Sequence, residues 1–335
     1  MPDIPPPNPD NIFFKAYAAS PYLSRHIPHI FDKAAEELAK SFAQYPNLEA
    51  LAKSSLPEAI GIAQAALLLY ERAHGKQRKF SPEMAYEHSL RVAEDSLAAA
   101  KSLASDPALL IKMAVKAILH DVIEDFKTTA DQIREIFPNG WGIAEGVQRM
   151  TTPSTRRLVE LYPDTAEQFI SLKDFRLTPR IYLDTLKESH RNKYEGLKSS
   201  LKLRFKRGEA AQFTFDEAII KCIDNPDSFL SYVKDIEERR IMVVESKALG
   251  PPQKSQDGTY FELTTAEAQR NLKDRIAYHE AVMQRFAKLK EEQPRIPNID
   301  AIVAALDAHF QGSAAAFQSY IGHPAPTMAP GPTPK

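Results

Sequence analysis

The sequence predicts an all-α fold. Long stretches carry apolar residues at helical rather than alternating spacing, only 12 glycines occur in 335 residues, and no two strand-like segments are joined by a hairpin turn. No internal repeat has a fixed period. The chain is long enough to bury a substantial core, as one large domain or as two small ones.

Proline-rich segments delimit the predicted helical region. Residues 1–11 carry five prolines, and residues 323–335 read HPAPTMAPGPTPK. Because proline lacks an amide donor and resists helix, we expect both segments to be disordered. Between them we predict a helical extension over 12–69, a main domain over 70–295 with an insertion at about 153–213, and C-terminal helices over 296–322.

The first predicted helices cover roughly residues 30–55 and 57–73. Ser81-Pro82-Glu83 has the N-cap, first-turn proline and first-turn acid of a helix start. The helix that follows is expected to place a row of apolar residues on one face, namely Leu90, Ala93, Leu97, Ala100 and Leu103.

The next predicted helix begins at Ser105 or Asp106, with Pro107 in its first turn. Its wide apolar stripe runs from Ile111 to Ile123 and predicts a buried central helix. A short helix should then follow Thr129 and end near residues 137–140.

Three helices are predicted in the second half. One begins at Asp216, runs through Ile223 and is broken or kinked at Pro226, whose ring removes an amide from the helical ladder. The others cover about 264–291 and 298–310.

Four ionisable residues occur close together near the end of the predicted central helix: His120, Asp121, Glu124 and Asp125. Residues four apart share a helix face, so we expect His120 above Glu124 and Asp121 above Asp125, in one polar edge. Burying such groups without partners is costly, and a divalent cation would offset that cost. The alternative is the solvent-exposed polar edge of an ordinary amphipathic helix.

Two residues elsewhere favour a metal site. His88 lies on the preceding helix, which could bring it beside His120 as an antiparallel neighbour, and Asp224 lies at the end of another apolar helix. Two imidazoles and two carboxylates suit Mn²⁺, Fe²⁺ or Zn²⁺ better than Ca²⁺. Taken singly, His88 could also be a packed or surface histidine, and Asp224 a helix cap.

The order of these motifs resembles the HD superfamily of metal-dependent phosphohydrolases. Within it, the chain is similar to the hydrolase domain of the RelA/SpoT proteins and their smaller stand-alone relatives. The resemblance covers roughly residues 70–155 and 215–235. It rests on the segments AHGKQRK at 73–79, LHDVIED at 119–125, TADQI at 129–133, GVQRMT at 146–151 and KCID at 221–224.

The resemblance implies that a divalent metal is held by His88, His120, Asp121 and Asp224. Mn²⁺ is the expected ion, with Fe²⁺, Co²⁺ or Zn²⁺ as alternatives. Glu124 and Asp125 would orient or deprotonate the attacking water. The implied reaction is hydrolysis of a phosphate or pyrophosphate ester of a nucleotide, with a (p)ppGpp-like alarmone as first substrate. Contacts to that substrate are expected from Arg78, Lys79, Lys221, Ser228 and Ser231.

The sequence departs from the family in two places. Asn225 and Ser228 stand where the family usually has Arg and Asn, which affects nucleotide contacts rather than the metal ligands. The insertion contains a basic segment, 173–207, with eleven Lys or Arg against four Asp or Glu. It could guide an anionic substrate or contact nucleic acid, or it could be the solvated face of a helical insertion. The alternative function is therefore a catalytically inactive HD-fold protein that binds a nucleotide or RNA.

Composition and short motifs exclude several other classes of function. There is no apolar run of about 18 residues and no secretory signal, so no membrane partner is expected. A net charge of −1 argues against nucleic acid as a partner of the whole surface. The single cysteine, Cys222, excludes an internal disulfide and fits a reducing, cytoplasmic location. Phosphate-loop and dinucleotide fingerprints are absent, so ATP or NAD is not expected as a cofactor, and the expected partner is a small phosphorylated molecule.

Overall fold

The structure is a computed structural model that describes residues 11–76, 84–103, 106–137, 139–226, 265–294 and 296–322. The all-α prediction is confirmed, because within these ranges every regular element is helical and no strand occurs. Short 3-10 helices cover Pro57–Ala59, Lys101–Leu103 and Asn139–Trp141. The α-helices are α1 (Ile12–Ala19), α2 (Pro21–His26), α3 (Phe31–Phe42), α4 (Pro46–Ala52), α5 (Ile60–Ala73), α6 (Ala85–Ala99), α7 (Pro107–Leu119), α8 (Val122–Phe126), α9 (Ala130–Ile136), α10 (Ile143–Met150), α11 (Thr155–Leu161), α12 (Pro163–Ala166), α13 (Leu172–Leu177), α14 (Pro179–Ser189), α15 (Arg191–Ala210), α16 (residues 215–226), α17 (Thr265–Glu292) and α18 (Ile299–Gly322).

Two predicted helix starts are confirmed by their caps. The side chain of Asp106 accepts a hydrogen bond of 3.0 Å from the Leu109 amide at the start of α7. Thr129 begins α9 with a capping box, in which it accepts from the Gln132 amide while the Gln132 side chain accepts from the Thr129 amide. These local hydrogen bonds need no tertiary contact, which is why the sequence alone could locate them.

The predicted start of α6 is wrong. Met84 has an extended backbone and its amide donates to the Glu87 side chain, so the helix begins at Ala85 rather than near Ser81. Residues 81–83 themselves lie outside the described ranges. The helix also ends at Ala99, and Leu103 belongs to the 3-10 helix that follows.

The predicted continuous central helix is also wrong. α7 ends at Leu119 and α8 begins at Val122, with His120 and Asp121 in the turn between them. The imidazole of His120 donates from Nδ1 to the carbonyl oxygen of Ala117, and a side chain that bonds this carbonyl competes with the helical ladder. His120 and Asp121 therefore do not share one polar helix edge with Glu124 and Asp125.

The N-terminal region contains more helices than predicted. α1 and α2 were not expected, and the predicted 30–55 helix is divided into α3 and α4 because Pro46 starts a new helix. Asn11 caps α1 by accepting from the Phe13 amide, so the predicted disordered segment 1–11 is wrong at its last residue. The rest of that segment and the 323–335 tail lie outside the described residues.

The last two helices agree with the prediction at their starts. α17 spans Thr265–Glu292, close to the predicted 264–291. α18 continues to Gly322 rather than ending at Phe310, since Ala314 and Phe317 extend its buried face. α16 begins one residue before Asp216 and still includes Pro226, so the helix is not broken before that proline. A break or kink directly after Pro226 would fall outside the described residues.

The described residues form two hydrophobic clusters. The larger one contains α5, α6, α7 and α16, and α5 is buried on almost every face. The smaller one lies within residues 153–213, the predicted insertion, and contains Leu158, Phe175, Leu197 and Leu201, among others. α15 connects the two clusters, because its later residue Ala210 belongs to the larger one.

A buried charge network holds α16 against α7 and α10. Lys116 of α7 lies 2.8 Å from an oxygen of Asp216 and 3.1 Å from one of Glu217. Arg149 of α10 donates to both carboxylate oxygens of Glu217. Gly146 permits this close packing, since a Cβ there would lie 2.7 Å from Glu217 Oε1. The network sets the position of the helix that carries Asp224.

Candidate metal centre

The four side chains predicted as metal ligands lie together. His88 comes from α6, His120 and Asp121 from the turn between α7 and α8, and Asp224 from α16. One ligand atom from each lies within 4.8 Å of all the others. His88 and His120 are buried, and the two aspartates are partly buried. The structure thus brings into one cluster residues from three segments far apart in the chain.

The spacing of these atoms fits a single ion. His120 Nε2 lies 3.1 Å from Asp121 Oδ2 and 3.4 Å from Asp224 Oδ1. His88 Nε2 lies 3.7 Å and 3.6 Å from the same two oxygens. Ligands bonded at about 2.0–2.2 Å to one ion are about 3–4 Å from each other. A separation well beyond this between His120 and Asp224 would have excluded a shared ion.

The orientation of His120 favours a cation at the centre of the cluster. Its Nδ1 lies 2.7 Å from the carbonyl oxygen of Ala117, which can only accept, so Nδ1 carries a proton. Nε2 is buried, faces both carboxylates and makes no hydrogen bond of acceptable geometry with the described residues. Metal-bound histidines typically have this arrangement, with the outer nitrogen held by a carbonyl and the inner one free to bind.

The electrostatics of the cluster also favour a cation. Burial alone would lower the pKa of His120, but the carboxylates of Asp121 and Asp224 outweigh it and raise this pKa to about 10. A positive charge is therefore stabilised at Nε2, and either a proton or a metal ion can supply it. Burial opposes ionisation of Asp121, yet His120 holds the pKa of this carboxyl below its ordinary value.

Lys221 lies beside the cluster and contacts a ligand. Its ammonium donates to Asp224 Oδ2, one turn further along α16. Burial would raise the pKa of Asp224, but Lys221 and His120 hold it well below its ordinary value. Both aspartates are thus ionised, as metal ligation requires. Lys221 was predicted to contact substrate, and the contact it makes here is with Asp224.

Glu124 and Asp125 lie outside the four-residue cluster. Glu124 Oε2 accepts a hydrogen bond of 2.9 Å from the Thr152 amide, and Oε1 lies 3.6 Å from Lys202 Nζ of the insertion. Asp125 is exposed on α8, and its amide donates to the carbonyl of Asp121. Their predicted role as acid–base groups stays a prediction.

The other predicted substrate contacts fall on residues that the structure leaves undescribed: Arg78, Lys79, Ser228 and Ser231. Asn225, at the end of α16, contacts α17. Its side-chain amide donates to the carbonyl of Arg275, and the Arg275 guanidinium donates to the carbonyl of Asn225 at 2.7 Å.

Sequence reasoning did not single out three neighbours of this region: Lys206 and Tyr278 interact electrostatically with Lys221, and Arg275 with Lys206. Lys206 lies on α15, and Arg275 and Tyr278 lie on α17. The basic excess of 173–207 signalled Lys206 only as one of eleven cations. No motif marks Arg275 or Tyr278, because the sequence of a long helix with mixed polarity does not indicate which other helices pack against it.

No family model matches the chain, and comparisons with characterised proteins and with solved structures found no match either. Among the helices that the structure describes, none is both long enough and apolar enough to cross a membrane.

Proposed function

We propose that this protein is an HD-type, metal-dependent phosphohydrolase that cleaves a phosphate or pyrophosphate ester of a nucleotide. A (p)ppGpp-like alarmone is the first substrate to test. The observation that carries the proposal is the convergence of His88, His120, Asp121 and Asp224, with ligand atoms within 4.8 Å of one another. The order of sequence motifs supports it independently.

The four residues would hold one divalent ion, with Mn²⁺ as the first choice and Fe²⁺, Co²⁺ or Zn²⁺ as alternatives. A bound ion of this kind lowers the pKa of its water and polarises a phosphoryl oxygen. The protein's contribution is orientation: the Ala117 carbonyl holds His120, and Lys221 holds Asp224 in its ionised form.

Glu124 and Asp125 are the proposed proton acceptors. The Thr152 amide and Lys202 hold the carboxylate of Glu124 in one orientation, which favours a positioning or acid–base role over metal ligation. Asp125 follows directly and is exposed, so solvent and substrate can reach it.

The test begins with elemental analysis of purified protein. We expect about one transition-metal ion per chain, and release of pyrophosphate from ppGpp, or of phosphate from a related nucleotide, in the presence of Mn²⁺. Protein that binds no transition metal would overturn the metal centre. Protein that binds metal but turns over no member of a broad nucleotide panel with any of the four ions would overturn the hydrolase.

The second outcome would favour the alternative, a catalytically inactive HD-fold protein that binds a nucleotide or RNA. Its structural support is Asn225, which packs α16 against α17 in place of the usual arginine, and the basic surface of the insertion. Salt-dependent RNA binding without hydrolysis is the result expected of that protein.

A further inference from the structure

The carboxylate of Glu124 is held at both of its oxygens. Oε2 accepts a hydrogen bond of 2.9 Å from the Thr152 amide, and Oε1 lies 3.6 Å from the ammonium of Lys202. Thr152 directly precedes the insertion of residues 153–213, and Lys202 lies on α15, the last described helix of that insertion. The proposed proton acceptor is therefore held where the chain enters the insertion and again near the point where the chain leaves it.

The position of Lys202 is fixed by the apolar residue on each side of it. Leu201 is fully buried in the cluster of the insertion, whereas Leu203 packs against the larger cluster. α15 also packs against α11 and α14, which belong to the insertion. Because its two neighbours are held by different clusters, the distance of Lys202 from Glu124 depends on how the insertion packs.

A second lysine of α15 interacts electrostatically with Glu124. Lys206 lies one turn after Lys202, and residues four apart share a helix face. Burial lowers the pKa of Lys206 to about 8, with the charges of Lys221 and Arg275 acting in the same direction, while the charge of Glu124 opposes them. The face of α15 that carries the two lysines is therefore turned towards Glu124.

The contact between Lys202 and Glu124 matters for orientation rather than for stability. The two side chains are 34% and 30% exposed, and an ion pair so accessible to water adds little to the free energy of folding. A single hydrogen bond leaves a carboxylate free to rotate about it, whereas a second contact at the other oxygen sets the plane of the group. A displacement of about 1 Å at a reacting group can lower a rate by about 10²-fold.

We propose that Lys202 is a positioning residue that acts on the reaction through Glu124, which makes the insertion part of the active site. The inference rests on the proposed function, in which Glu124 accepts a proton from the attacking water. Among the described residues, Lys202 forms an ion pair with Glu124 and with none of the four candidate metal ligands. Its loss should therefore misplace the proton acceptor and leave the metal centre intact.

Turnover by variants of the full chain tests the proposal, with Mn²⁺ and ppGpp or the nucleotide that the unchanged protein hydrolyses. Lys202→Gln should lower kcat by about tenfold and change KM by less than about twofold, because the side chain acts on Glu124 rather than on the substrate. Lys202→Arg keeps a cation of similar reach and should restore most of kcat. Metal content should be the same in all variants.

The matched control is Lys198→Gln. Lys198 lies one turn earlier on α15 and is 37% exposed, against 34% for Lys202, but its ion pair of 3.2 Å is with Glu195 of the same helix. This substitution removes the same charge and a similar ion pair without touching Glu124. It should change kcat by less than about twofold.

A double variant shows whether Lys202 acts through Glu124. In the Glu124→Gln background, Lys202→Gln should cause no further fall in kcat, because the group that it orients has already been lost. Losses that multiply would show that Lys202 acts directly on the substrate or the water, and would overturn the positioning role.

Hydrogen exchange of the Thr152 amide gives a readout that needs no turnover. In Lys202→Gln the carboxylate that accepts from this amide is held by one contact instead of two, so exchange should be about two- to fivefold faster, the range expected of a partly exposed ion pair. Lys198→Gln should leave the exchange rate unchanged. Equal rates in the two variants would overturn the inference.

The positioning role and the proposed function fail in different ways. Lys202-dependent exchange of the Thr152 amide, in a protein that hydrolyses no nucleotide, would overturn the proposed function and keep the orientation of Glu124 by Lys202. Hydrolysis with equal kcat in Lys202→Gln and Lys198→Gln would overturn the positioning role alone. A fall in kcat that Lys202→Arg does not restore, or that accompanies loss of metal, would show a structural role and would also overturn it.

Discussion

His120 owes its orientation to the carbonyl of Ala117, three residues earlier in the chain. The hydrogen bond from Nδ1 to this oxygen coincides with the end of α7 and turns Nε2 towards Asp121 and Asp224. One local interaction therefore both interrupts the helix and presents a ligand atom. This explains why two of the candidate ligands, His120 and Asp121, occur at a helix break rather than along a continuous helix.

Metal binding should release about one proton at pH 7. The pKa of His120 is raised to about 10 by Asp121 and Asp224, so in metal-free protein Nε2 is protonated at neutral pH and an incoming ion must displace that proton. Metal affinity should therefore rise with pH through the neutral range and level off near pH 10. Calorimetric titration in two buffers of different ionisation enthalpy measures the released proton, and a result of zero at pH 7 would contradict the prediction.

Substitutions should separate metal ligands from acid–base groups. Asp121→Ala should lose the metal, because it removes a ligand from the centre. Glu124→Gln should retain metal and fold while turnover falls by about 10²–10⁴, the usual cost of losing a proton-transfer group. Elemental analysis, circular dichroism and kcat check this, with Glu167→Gln on the exposed surface of the insertion as control. Loss of metal in Glu124→Gln would show that the roles are assigned wrongly.

At the scale of helices, α16 is positioned by charge as well as by apolar packing. Glu217 is fully buried and accepts from Arg149 of α10, while Lys116 of α7 lies between Asp216 and Glu217. A buried network of this kind tolerates little displacement, since moving one member leaves another charge without its partner. The network thereby keeps Asp224 at a fixed distance from His120, which precedes it by about a hundred residues.

Two glycine substitutions should have opposite effects on stability. Gly146→Ala should lower the free energy of unfolding by about 1–3 kcal/mol, because its Cβ would lie 2.7 Å from Glu217 Oε1 and 2.8 Å from Lys116 Cε. Gly312→Ala is the control: it lies within α18 with no atom within 4 Å of the new Cβ, and should raise stability by about 0.5–1 kcal/mol. Urea unfolding measures the free energy of unfolding of both variants. Equal changes in the two would contradict the importance of the buried charge network for stability.

At the scale of the molecule, the insertion has a hydrophobic cluster of its own and still contributes to the centre. Leu197 and Leu201 of α15 belong to the insertion cluster, whereas Lys202 of the same helix reaches Glu124. The insertion therefore uses apolar residues of α15 for its own core, and a lysine of the same helix for the ion pair with Glu124. Of its basic residues, Lys202 is the one that forms an ion pair with Glu124 among the described residues.

The two clusters should respond separately to cavities. Leu197→Ala should lower the free energy of unfolding of the insertion by about 2–5 kcal/mol and leave the metal content unchanged. Leu119→Ala, a buried residue next to His120, should destabilise the larger core and lower metal content as well. In Leu197→Ala, hydrogen exchange should show that only the amides of residues 153–213 lose protection. Equal loss of metal in both variants would show that the clusters behave as one unit.

The sequence by itself determined the all-α class, because helical spacing of apolar residues is a local property of the chain. It also determined the starts of α7 and α9, where Asp106 and Thr129 satisfy amides within three residues. The order of His88, His120, Asp121 and Asp224 in recognisable motifs was enough to name the residues that the structure brings within 4.8 Å. Their role as metal ligands is still a prediction.

The helix break at His120 rests on a local hydrogen bond but was found only in the structure, and only the tertiary structure decided the Lys116–Glu217–Arg149 network and the position of Lys206 beside Tyr278. The break was invisible because an apolar stripe continues through it from Ile118 to Val122. The network and the contact between Lys206 and Tyr278 join residues separated by tens of positions. A charged residue looks the same in sequence on a solvated face and in a desolvated site, and only the groups packed around it distinguish the two.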